Sequence, residues 1–132
     1  MDNESKMVSV DPETDAAQVE LDEILAKHGI APELVAELKT KHQGRLYVLV
    51  NIPAIFKHPG RAQILAAQTK EKTAEKIVAI ENLARQLVVF PHAKEQAAKF
   101  DALMLDCPLV CEEVANCSVS IGFGKGGDYR KL

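Results

Sequence analysis

Apolar positions along this chain recur mostly at spacings of three and four, the period of a helix with one buried face. One stretch breaks the pattern. Leu46, Val48 and Val50 alternate with Tyr47 and Leu49, as in a pleated strand, and a second apolar run from Ile52 to Phe56 follows almost at once. Asn51-Ile52-Pro53 lies between the runs, and Pro53 cannot donate to a central ladder. Residues 45–57 are therefore read as a β island, a hairpin or else a single bent edge strand. An isolated hairpin is marginal in water, so its apolar face must lie on helices or on another protein.

Around the island the pattern predicts helices. The first starts at Thr14 or Asp15 and runs to about His28, with Val19, Ile24 and Leu25 as its stripe and Gly29 as its stop. A short second helix opens at Pro32-Glu33, uses Leu34, Val35 and Leu38, and ends near Gln43-Gly44. Helical signal resumes after Pro59 with Ala62, Ile64, Leu65 and Ala66, followed by the polar patch Gln68-Thr69-Lys70-Glu71-Lys72. Ile77, Ile80, Leu83, Ala84 and Leu87 then form an amphipathic stripe that stops before Pro91. Residues 92–106 predict a helix turning Ala97, Phe100, Leu103 and Met104 inward, and Pro108 opens another with Leu109, Val110, Val114 and Ala115. The fold class expected is mainly α with a small β-hairpin (α+β), a helical bundle packed on a short two-stranded element. The organisation is a disordered acidic N-terminus over 1–13, one helical domain over 14–120, and a flexible glycine-rich tail over 121–132.

Composition narrows the picture further. In 132 residues the aromatic share is only 5% and Trp is absent, which suits helix packing better than an aromatic-rich β sandwich. The net charge of −3 argues against a chain that binds nucleic acid as a whole, but charge is uneven. Residues 1–40 carry ten acids and three bases, whereas residues 41–99 carry four acids and ten bases. No apolar run reaches membrane-spanning length, and the polar, acidic start is neither a signal nor a transit peptide. A soluble cytoplasmic protein is expected. Cys107, Cys111 and Cys117, an odd number, fit reduced thiols better than a disulfide framework.

Candidate chemistry is sparse. His28, His42, His58 and His92 stand at predicted helix ends or beside prolines, where an imidazole serves free backbone groups, and no two share metal-binding helical spacing. The cysteines lack a CxxC or CxxxH partner set. Gly122, Gly124, Gly126 and Gly127 flank Lys125 without room for the following helix that a phosphate loop requires. Glu112-Glu113 and Asp22-Glu23 are adjacent pairs that decorate solvated faces, and Lys70, Lys72 and Lys76 make a basic patch without interleaved aromatics. No cofactor and no metal are expected.

The island and its flanks carry a resemblance. Leu38, Lys39, Lys41, His42, Gly44 and Tyr47, then Phe56, Lys57, Pro59 and Arg61, stand in the order of a lysine-rich helix, a short hairpin and an aromatic-Lys-x-Pro opening of a bundle. This is similar to the tail assembly chaperones of long-tailed bacteriophages, and Val88-Val89-Phe90-Pro91 resembles a further proline step of that family. The motif match covers a short part of the chain, and the long acidic N-terminus and glycine-rich tail depart from it. The resemblance implies a non-enzymatic protein in the host cytoplasm that coats the tape-measure protein during tail assembly, its partner being that protein or else a tail tube component; association of the chain with its own copies is left open by the sequence. It points to Tyr47, Leu49, Ile55, Phe56 and Arg61 as partner-binding residues. Two other classes compete: a small phage or bacterial regulatory inhibitor of a host protein, and a small enzyme with a dispersed site drawn from His42, His58 and Cys111.

Overall fold

The computed structural model describes residues 12–69 and 73–132. Helix α1 (Pro12–Lys27) begins just inside the stretch expected to be disordered, the remainder of which lies outside the described residues, as do Lys70, Glu71 and Lys72. Gly29 does end α1. With φ +71 it lets the Gly29 N–H reach Ala26 O at 3.1 Å and the Ile30 N–H reach Leu25 O at 2.9 Å, a Schellman closure. The buried Ile30 then packs in the same cluster as Leu25. Helix α2 (Pro32–His42) has Pro32 and Glu33 in its first turn and Lys39, Lys41 and His42 in its last, and Gln43 closes it in the left-handed region.

The hairpin forms. Strands β1 (Leu46–Leu49) and β2 (Ile55–Lys57) pair antiparallel with Tyr47 opposite Phe56. It is not the whole sheet, however. Beyond helices α3 (Arg61–Thr69) and α4 (Thr73–Leu87), strand β3 (Val88–Phe90) pairs with β2. Helices α5 (Ala97–Asp106) and α6 (Val110–Gly122) follow, and strand β4 (Tyr129–Lys131) pairs with β1. The order is β3-β2-β1-β4, antiparallel throughout, so the expected two-stranded element is the centre of a four-stranded sheet.

Two expectations are thereby corrected. Val88 to Phe90 were assigned to the end of a helix, but β-branched Val88-Val89 and the residue before Pro91 favour extended backbone, and they pair as a strand. Residues 121–132 were expected to be a flexible tail. Gly124, at φ +68, instead closes α6, with its N–H on Ile121 O at 3.0 Å and the Lys125 N–H on Ser120 O at 2.8 Å. The chain then returns along β1: the Val50 N–H reaches Asp128 O and the Leu132 N–H reaches Leu46 O, both at 2.9 Å. The Tyr129 hydroxyl closes the loop on the Lys125 carbonyl. Glycine here permits a helix stop and a tight return.

Both faces of the sheet are covered. Leu46, Val48, Ile55 and Val89 pack with Ile24, Leu25, Ile30 and Leu38 of the α1–α2 layer. Tyr47, Leu49, Phe56 and Val88 pack with Ile80, Leu83, Ala84, Leu87, Phe100, Val110 and Val114 of the opposite helices. Double coverage explains why the strands read as nearly continuous apolar runs. The helix stripes were read correctly in their centres and too generously at their ends: Val19, Ile77 and Leu109 are exposed, at 52%, 59% and 65%. Among the described residues no helix is long and apolar enough to cross a membrane.

Candidate functional site

Four of the five residues singled out from the sequence are interior. Leu49, Ile55 and Phe56 are fully buried and Tyr47 is 6% exposed. Tyr47 stacks on Phe56 with centroids 5.5 Å apart, meets Tyr129 edge-on, and its hydroxyl bonds His58 Nδ1 at 2.9 Å. A side chain closed in on both sides of the sheet presents no partner surface, so these four are corrected to core residues. Arg61 alone is exposed, at the first position of α3. The hairpin offers no free edge either, since β3 and β4 flank it.

Three of the four histidines, His28, His58 and His92, serve local structure. His28 Nε2 donates to Leu49 O at 2.9 Å, tying the end of α1 to β1. His92 Nδ1 accepts the N–H groups of Lys94 and Glu95, each at 3.1 Å, and shapes the turn before α5. His42 Nε2 is buried without a hydrogen-bond partner, and desolvation, followed by Lys57 and Lys41, holds its pKa below the usual imidazole value. Cys111 lies against Met104, with 3.9 Å between the sulfurs. Among the described residues no group of three His, Cys, Asp or Glu could hold a metal ion.

A concave apolar surface lies elsewhere, on the outer α1–α2 layer. Helices α1 and α2, joined through the Gly29 turn, border a groove of about 430 Å³. Leu21, Leu25, Ile30, Val35 and Leu132 form its apolar lining, with Gln18, Asp22 and Lys39 among its polar groups. A long-range ion pair ties α1 to β4 beside it. Arg130 faces α1 because it sits opposite Val48, whose side chain is on that side of the sheet. The guanidinium grips Glu20 in a fork, Nε to Oε1 at 2.7 Å and Nη2 to Oε2 at 3.2 Å, and Nη1 reaches the carbonyls of Gly127 and Tyr129. Hydrogen bonding and charge from Arg130 hold the Glu20 carboxyl below its ordinary pKa.

The groove leaves no local signature in the sequence. Leu25 and Val35 read as apolar helix positions, but nothing local shows that the two helices border one groove or that Leu132 returns to them. No protein-family profile, curated protein or solved structure matches the chain.

Proposed function

We propose that this chain is a non-enzymatic protein-binding protein of the tail-assembly-chaperone kind, taking an apolar helix of its partner into the groove between α1 and α2. The open apolar groove is the observation that supports the reading. Together with the order of elements around the β island, it favours helix-in-groove recognition, in which two or three anchor side chains carry the contact. Each fully buried Leu or Ile anchor contributes roughly 1.5–3 kcal/mol before the costs of association. A few such anchors give reversible binding, as a chaperone displaced during assembly requires.

Charge selects the flanks of the partner. With Glu20 held by Arg130 and Lys41 by Glu95, helix α1 presents Asp22 and Glu23, and α2 adds Glu33 and Glu37, against Lys27 and Lys39. Lysines or arginines beside the apolar face of the incoming helix are therefore favoured. The tape-measure protein is the partner the family resemblance supplies.

Co-expression with the tape-measure protein encoded in the same genome tests the proposal. The partner should move to the soluble fraction and co-purify. Leu21→Asp or Val35→Asp should abolish this while leaving the circular dichroism spectrum unchanged. A partner that stays insoluble beside the wild-type chain, or one captured equally by both variants, overturns the reading.

A further inference from the structure

A second concave site shares no lining residue with the groove and differs from it in chemistry. It lies where the end of β2, the start of α3, the second half of α4 and the turn after Pro91 meet, and it measures about 590 Å³. No carboxylate lines it. Lys57 and Lys94 stand in its wall, and among the described residues neither has a carboxylate within ion-pair distance. Arg85 also contributes, though Glu81 holds its Nε at 3.1 Å and its guanidinium lies over the Phe100 ring at 5.1 Å. The nearby Lys41 is balanced by Glu95 at 2.9 Å. The surplus positive charge of the cleft therefore belongs to the two lysines.

The neutral groups are set as donors. His92 Nδ1 accepts two backbone N–H groups, which leaves the ring proton on Nε2. Gln63 Oε1 accepts the Gly60 N–H at 2.7 Å and its Nε2 donates to Gln86 Oε1 at 3.1 Å. Two locked carboxamides in series leave the Gln86 amino group without its own acceptor among these contacts. Asn82 supplies a further amide. A cleft with two ammonium groups that no carboxylate of the described residues pairs, and with an excess of N–H donors, suits a ligand of several anionic oxygens.

We infer that this cleft binds a small phosphorylated molecule of nucleoside diphosphate size, its phosphates between Lys57 and Lys94 and its polar remainder on Asn82 and Gln86. A phosphoryl group offers the oxygen acceptors that such donors require, and the volume falls in the range of small-molecule sites. Lysine acts here as a point charge rather than a fork, so the electrostatic share of binding falls with salt. The inference is independent of the groove and of its partner.

Titration of the ¹⁵N-labelled protein with pyrophosphate and with ADP tests it, followed by amide chemical shifts. The amides of Lys57, Asn82, Gln86 and Lys94 should move together and saturate, with weaker binding as salt is raised. Lys57→Gln combined with Lys94→Gln should weaken binding at least tenfold, and Lys57→Arg combined with Lys94→Arg should restore most of it. The single exposed change Lys94→Gln, expected to weaken binding severalfold, keeps the test sound if the double variant is poorly folded. The proposal is overturned if neither ligand shifts these amides, or if the glutamine variants bind unchanged. It is equally overturned if affinity for single-stranded oligonucleotides rises steadily with length, which would make the cleft a nucleic-acid backbone contact.

Discussion

Cys107, Cys111 and Cys117 occupy different environments, and their reactivity should differ accordingly. Burial pushes the Cys111 thiol up to about 11, aided by Glu81 and Glu112, and the Cys117 thiol up to about 12, aided by Glu113 and Asp128. Cys107, at the end of α5, is only partly buried. At pH 8 a thiol with a pKa near 11 is ionised in roughly one molecule in a thousand, and the thiolate is the nucleophile. Treatment with a disulfide reagent at pH 8 should therefore release one equivalent quickly, from Cys107, and two more only in denaturant. Three fast equivalents would contradict the packing of α6. The same raised values carry a pH dependence. The folded state holds these protons more tightly than the unfolded chain, so the associated stability is complete below about pH 9. It is lost progressively as pH rises toward 11 and 12. Cys117→Ala should flatten that alkaline decline in urea midpoints.

At the scale of elements, the last strand separates the sequence reading from the fold most sharply. Residues 121–132 read as tail because glycines dominate and because Tyr129-Arg130-Lys131 is too short to show a period. Its strand character comes entirely from the β1 edge it meets. The same holds for β3, where three residues between a helix and a proline carry too little pattern to outweigh the helix before them. By contrast, α1, α2 and the β1–β2 hairpin were legible, because Gly29, Pro32 and Pro53 mark their limits locally. If β4 is structural, deleting residues 129–132 should lower the urea midpoint and remove the Glu20–Arg130 tie, and the amides of Leu46 to Val50 should exchange faster. A truncated chain with unchanged midpoint and exchange would return these residues to the status of a tail.

For the whole molecule, burial divides unevenly across the sheet. The α3–α6 side carries the larger core, including Phe56, Phe100 and Leu87, whereas the α1–α2 side rests on a smaller set around Ile24, Leu25 and Leu38. This asymmetry was not legible in the sequence, since each helix stripe looks similar alone and only the topology assigns it to a face. The candidate groove was hidden for the same reason, and the hairpin residues form the shared floor of both layers. The thinner layer is also the one that carries the groove, and sites that must accept a partner are commonly drawn from the less stable part of a fold. Native-state hydrogen exchange should then show α1 opening at lower free energy than β1, β2, α4 and α6. The core elements should exchange only through global unfolding. Binding of a partner helix in the groove should protect α1 and α2 selectively and leave α4 unchanged. Equal protection of all helices in the free protein, or a partner that protects α4 instead of α1, would place recognition on another face.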